Sequence, residues 1–170
     1  MTVISVHKDL AALTMTMTAE FDAPVERCWQ LWEDPRQLER WWGPPTYPAT
    51  FGAHDLNPGG IVTYFMTGPE GDQHHGWWKI TAVDAPHGLE LVDGFADSSG
   101  VPNLEMPMTT MKMNLEPSGN GRTRMFLNTR FPSLEAMQQM VEMGMEEGIT
   151  GAVGQIDDIL RDQGSRNVAR

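Results

Sequence analysis

The stretch PSLEAMQQMVEMGMEEGITGAVGQIDDIL, residues 132–160, decides the fold. Leu134, Met137, Val141, Met145, Ile149, Val153, Ile156 and Leu160 recur in it at steps of 3, 4, 4, 4, 4, 3 and 4. That spacing is the apolar stripe of an amphipathic helix. A helix of about 28 residues is about 42 Å long, and a stripe of that length needs a partner surface. Gly144, Gly148, Gly151 and Gly154 lie inside the pattern. Each costs about 1 kcal/mol relative to Ala in a helix. The expectation is a bent but continuous helix, with the glycines marking close approach of a sheet or a ligand to its backbone; the alternative is a helix broken or kinked near residue 148.

The partner surface lies upstream. Residues 13–21 alternate apolar and β-branched polar positions, the period of a half-buried strand. The period then changes. Pro24 suits a first helical turn, and Val25, Cys28, Trp29 and Trp32 follow at helical spacing. Asp34-Pro35-Arg36-Gln37 is a second helix start, with a capping carboxylate, Pro at the first position and a Gln able to reach back. This short helix ends near Trp41-Trp42, since Gly43-Pro44-Pro45 cannot continue it. Strands are predicted near 49–56, 60–68, 74–83, 88–95, 106–116 and 122–131, separated by Gly/Pro/Asn/Asp turns. The longer polar stretch 96–105 reads as a lid. Strand parity gives the sheet one wet face and one face rich in Met and aromatic residues, and the long helix is expected to cover the latter.

Composition narrows the function. The 170 residues suit one domain, with its core from about 14 to 162 and loose tails over the first ten residues and Gln163 to Arg170. Acids outnumber bases 23 to 12, for a net charge of -11, and only Lys8, Lys79 and Lys112 are lysines. No basic cluster is available to neutralise phosphates, so neither nucleic acid nor an anionic membrane is an expected partner. No apolar run reaches about 18 residues, and the N-terminus lacks the pattern of a signal peptide, so the expected location is the cytoplasm. Cys28 is the only cysteine and sits on the apolar stripe of the first helix, which favours an inert buried thiol. His74-His75 are adjacent on a strand and point to opposite faces; His7, His54 and His87 lack metal-ligand spacing. No phosphate loop, Rossmann glycine pattern or nucleophile elbow occurs. No cofactor or metal is expected.

The Met and aromatic stripe is the candidate site. Tyr64, Met66, Trp78, Phe95, Met111, Met113, Met125, Met145 and Ile149 are expected to face the space between the sheet and the long helix. Ordinary core filling and a ligand cavity both account for such a stripe. A curved sheet and one helix rarely close without a void, and apolar voids of about 300–1,000 Å³ are the usual binding sites. Asp93 shares parity with Leu89, Leu91 and Phe95. It is read as sitting at the strand end, in water or hydrogen-bonded to the following loop, with an inward general base as the alternative.

The order of elements is that of an α+β helix-grip fold: a strand, two short helices, then further strands making about seven in all, and a long C-terminal helix. Phe21-Asp22-Ala23-Pro24, Trp41-Trp42-Gly43-Pro44, Asn57-Pro58-Gly59-Gly60, Phe131-Pro132-Ser133 and Met143-Gly144-Met145-Glu146-Glu147-Gly148 resemble the START-like (SRPBCC) superfamily. Within it they resemble the bacterial branch homologous to the C-terminal domain of the heat-shock-protein-90 ATPase activator. The resemblance covers about residues 14–162. It implies an antiparallel sheet wrapped round the long helix, with a cavity between them that holds lipids, sterols, polyketides or hormones in members of the superfamily. A minority of members are cyclases or related enzymes. One departure stands out: relatives commonly carry Trp after Glu-Glu-Gly, where this chain has Ile149. The expected function is binding of a small hydrophobic molecule, with a homodimer left open. The rival readings are an enzyme of cyclase or hydrolase type using Asp93 or His74, and a chaperone-associated protein by family analogy.

Overall fold

The structure, a computed structural model, describes residues 3–168. Its elements are β1 (Val3–Asp9), β2 (Thr14–Phe21), α1 (Val25–Glu33), α2 (Pro35–Trp41), β3 (Ala49–His54), β4 (Ile61–Thr67), β5 (Gln73–Asp84), β6 (Gly88–Ala96), β7 (Thr109–Gly119), β8 (Arg122–Arg130), α3 (Leu134–Glu142), α4 (Met145–Val153) and α5 (Ile156–Val168). The architecture is α+β. Eight strands form one curved antiparallel sheet in the order β1-β2-β8-β7-β6-β5-β4-β3.

Two expectations about the ends are corrected. Residues read as an N-terminal tail form β1, which adds an eighth strand by pairing with β2 from Val3↔Glu20 to Asp9↔Thr14. Its signal is brief: the apolar alternation of Ile4-Ser5-Val6 gives way at once to the polar His7-Lys8-Asp9. The pairing supplies main-chain bonds, and Lys8 reaches Glu146 at 3.2 Å, tying the edge to α4. At the other end α5 continues to Val168, past the expected start of the tail at Gln163. Met1, Thr2, Ala169 and Arg170, also assigned to tails, lie outside the described residues.

The long helix is a third correction: it is broken into three. Met143 ends α3, and Gly144 takes φ 90°, a left-handed conformation that only glycine adopts at low cost. The Gly144 carbonyl then accepts from Gly148 N at 2.9 Å to start α4. The second break falls at Gly154-Gln155, where Gln155 N bonds Ala152 O at 3.1 Å, one residue short of the α-helical pattern. The Gln155 side chain donates to Gly43 O at 2.7 Å, pinning the loop after α2 to this junction. α4 faces Pro44 and Pro45 at Gly151, where a Cβ would make an ordinary contact at 3.5 Å from Pro44.

The antiparallel registers stack inward side chains into rows across the sheet. Ala19, Met125 and Leu115 form one row; Met17, Leu127, Met113 and Leu89 form the next. Met15, Thr129, Met111 and Leu91 follow, then Thr109, Asp93, Trp78 and Val62, then Phe95, Gly76, Tyr64 and Phe51. The sheet face is shared among the helices rather than covered by the C-terminal segment alone. α1 packs on β7 and β8, α2 on β3 and on α5. Asp34 caps α2 through Arg36 N at 2.9 Å and Gln37 Nε2 at 3.1 Å. The short α1–α2 hairpin carries Trp32, Trp41 and Trp42 onto Trp78, with Trp42 and Trp78 ring centres 4.7 Å apart.

The segment read as a lid folds back on its own strand. Ala96 bridges Pro102, Asn103 N donates to Phe95 O at 2.8 Å, and Asp97 accepts from Ser99 N and Val101 N. It does not border the cavity described below.

Two glycines of this region should respond oppositely to alanine. Gly144→Ala forces a left-handed conformation on a residue with Cβ and should lose about 1–2 kcal/mol in chemical denaturation. At Gly148, inside α4, a Cβ would meet nothing within 4 Å. Gly148→Ala should therefore gain up to about 1 kcal/mol. Equal effects at both positions would contradict the helix break at residue 144.

Candidate functional site

A cavity of about 720 Å³ lies between the open end of the sheet and the helices. Its sheet wall comes from the last rows: Tyr64 and Met66 on β4, His74 on β5, Asp93 and Phe95 on β6, Thr109 and Met111 on β7, and Thr129 on β8. The helical wall comes from Met140, Met143, Met145, Glu147, Gly148 and Ile149, and the loop after α2 adds Trp42, Pro44, Thr46 and Tyr47. A side pocket of about 140 Å³ adjoins it beside His75, Gly76 and Gly94.

Of the residues expected at the site, Tyr64, Met66, Phe95, Met111, Met145 and Ile149 line this space. Trp78, Met113 and Met125 do not: they are sealed in the core, with at most 1% of their surface exposed. Parity placed them on the correct face. Position along the strand decided the rest. Met113 and Met125 belong to the rows under α1, and Trp78 is covered by Trp42 and Trp32. Trp42, Tyr47, Met140 and Met143 were missed. The two methionines fall off the 134–160 stripe: Met140 lies one turn beyond the buried Met137 on a neighbouring face of α3, and Met143 is its C-cap. Trp42 and Tyr47 sit at and beyond the end of α2, where no periodicity points.

Asp93 is the other correction. It stands inside the cavity rather than at a strand end in water. The Tyr64 hydroxyl donates to Asp93 Oδ1 at 3.1 Å. This contact crosses a strand, because Tyr64 opposes Gly76 on β5 and Asp93 lies on β6. Gly76 makes it geometrically feasible: any Cβ there would collide with the Tyr64 ring. The outer face repeats the device, with the Trp77 indole lying over Gly94 and donating to Phe95 O at 3.0 Å.

Both partners are half-buried and line the cavity, so desolvation dominates their titration. Burial pushes the Asp93 carboxyl up to about 7, against the opposing effects of the Tyr64 hydrogen bond and the Gly94 backbone. Burial, then the neighbouring Asp93 charge, drives the Tyr64 phenol well above its usual value. The Trp42 and Trp78 indole N–H groups lie near the Tyr64 oxygen and favour its ionised form. Neither makes a hydrogen bond of proper geometry. At the rim, His74 Nε2 meets Asp72 Oδ2 at 2.6 Å and its ring packs on Tyr47. Cys28 is buried, and burial raises its thiol to about 11, the state of an unreactive cysteine.

Chemically, the site is an apolar chamber with one polar cluster: a carboxyl that exchanges its proton near neutrality, a phenol bonded to it, and indole donors beside them. Among the described residues no helix is long and apolar enough to cross a membrane.

Comparison with known proteins agrees with the fold. The model of the family described as activator of Hsp90 ATPase homolog 1-like protein matches residues 22–161. A crystal structure of a protein from Mycobacterium smegmatis is 50% identical, superposes with a TM-score of 0.86, and the match covers 93% of this chain and 97% of that one. A solution structure from Arthrobacter aurescens is 53% identical, with a TM-score of 0.88 and coverage of 93% and 91%. One from Staphylococcus epidermidis is 25% identical, with a TM-score of 0.80 and coverage of 94% of each chain. No curated protein matches. The chain belongs to the activator of Hsp90 ATPase homolog 1-like family, within the START-like superfamily.

The buried carboxyl gives a signed pH prediction. Asp93 rises from an ordinary 3.8 to about 7 on folding, so the native state holds the extra proton between those values. The contribution of Asp93 to stability is greatest below about pH 4 and falls as pH rises to about 7. Asp93→Asn keeps an acceptor for Tyr64 and removes the buried charge. At pH 8 it should be more stable than wild type, by up to about 4 kcal/mol. Between pH 4 and 7 its melting temperature should depend less on pH. A variant that is no more stable at pH 8 would show that Asp93 is well solvated.

Proposed function

We propose that the chain is a single START-like domain of helix-grip architecture that binds a small, mostly apolar molecule in this cavity, acting in the cytoplasm and not on nucleic acid or membranes. The supporting observation is the cavity itself. Its volume of about 720 Å³ falls in the range of small-molecule sites. Its walls are methionine and aromatic side chains, which adapt to an apolar guest and contact aromatic rings favourably. Burial of the guest's apolar area provides affinity, at roughly 25 cal/mol per Å² before the costs of association.

An enzymatic reading has one observation in its favour. Asp93 has a carboxyl poised near neutrality inside an apolar chamber, the property of a general acid or base. It remains the second reading because the hydroxyl bonded to Asp93 is the Tyr64 phenol, which burial holds in its protonated form. Chaperone association has only the family description for support.

Ile149 tests the cavity. It lines the space and is only partly buried, where relatives are expected to carry an indole. Ile149→Trp should fill open volume and be tolerated, whereas overpacking a closed core typically costs about 1–3 kcal/mol. An apolar fluorescent dye should bind wild type saturably and quench tryptophan emission. The variant should bind it several-fold more weakly. Unchanged dye affinity, or a large loss of stability, would argue against an open binding cavity at Ile149.

A further inference from the structure

The polar cluster in the cavity discriminates among ligand head groups. Trp42 is 8% exposed and lines the cavity, yet its indole N–H has no hydrogen-bond partner. The Trp78 N–H, on the wall behind it, is likewise unpartnered. Buried donors left unmatched are costly, and the nearby Tyr64 oxygen does not form a well-aligned bond with either, so this corner has donor capacity to spare. Beside them stands Asp93, which accepts from Tyr64 and retains capacity for a further bond. The charged groups of the lining are acidic: Asp93 here and Glu147 on α4, with His74 at the rim held by Asp72 and no Lys or Arg in the wall.

Each kind of head group fares differently here. A carboxylate accepts from the indole but meets Asp93 and Glu147 as like charges. An ammonium satisfies Asp93 but presents a cation to an N–H donor. A plain hydrocarbon leaves both unmatched. A hydroxyl donates to the carboxyl and accepts from the indole at once.

We infer that the cavity selects apolar molecules bearing a neutral hydroxyl group, seated between the Asp93 carboxyl and the Trp42 indole N–H. The inference rests on the proposed ligand-binding function and names the ligand class for it. The near-neutral titration of Asp93 is consistent with a group that supplies either an acceptor or a donor.

The test uses four matched probes on the full chain: naphthalene, 2-naphthol, 2-naphthoate and 2-naphthylmethylammonium, each measured by equilibrium dialysis at pH 7. The expected order puts 2-naphthol first, about tenfold or more tighter than naphthalene, with 2-naphthoate weakest. Asp93→Leu and Trp42→Phe should each reduce the advantage of 2-naphthol over naphthalene to within about threefold, while naphthalene itself still binds. Asp93→Leu carries the test if Trp42→Phe disturbs packing. Equal binding of naphthalene and 2-naphthol by wild type, tighter binding of either charged probe, or a preference unchanged in Asp93→Leu overturns the inference and leaves the cavity reading standing. Failure of all four probes to bind overturns both.

Discussion

The packing of Trp42 against Trp78 is the contact on which the rest of the structure depends. It joins the end of α2 to the middle of the sheet at 4.7 Å between ring centres. Trp32 and Trp41 support it, at 4.9 Å from each other, and Trp41 Nε1 donates to Leu31 O at 2.9 Å. Edge-on aromatic pairs of this kind contribute about 0.5–1.5 kcal/mol each beyond the area they bury. Their larger effect is spatial. The cluster fixes a boundary across the sheet, with a dry core under α1 on one side and an open chamber under α3 and α4 on the other.

That boundary explains why similar side chains have different roles. Met113 and Met111 lie two residues apart on one strand and face the same way. Met113 sits in the row packed by α1 and is sealed; Met111 sits in the next row, at the cavity wall. Trp78 shares a row with Asp93, yet one is covered by indoles and the other borders open space. The glycines act on the same boundary. Gly76 lets the Tyr64 ring lie across β5 to reach Asp93. Gly144 turns the chain so that Met143 and Met145 both reach the chamber.

The chamber has a cost built in. A carboxyl raised toward neutrality and the unmatched Trp42 indole donor are polar groups held where the surroundings are apolar. Their desolvation is an expense in stability that a matching guest would relieve. Marginal folding free energies make such groups unusual unless something else offsets them. The family fold provides the frame, and it hosts many functions; the cluster of Asp93, Tyr64 and Trp42 is what distinguishes this chamber chemically.

The sequence by itself determined the alternation of the strands, the inward face of the sheet, the capped α1–α2 hairpin and the apolar character of the C-terminal segment. These are local properties: side-chain period, turn residues and capping carboxylates act within a few positions. It did not show β1, whose brief apolar alternation is ordered by pairing with β2, nor the breaks at Gly144 and Gly154-Gln155. Glycine permits a left-handed turn, as at Gly144, without requiring one, and the second break is pinned by the loop after α2 through Gln155. Only the tertiary structure decided which inward residues border open space. Parity has a period of two and says nothing about depth along a strand; depth depends on where the tryptophan cluster stops. Asp93 was therefore read as solvated from its place in the chain. Three-dimensional register, with a glycine opposite Tyr64, put it in an apolar chamber instead.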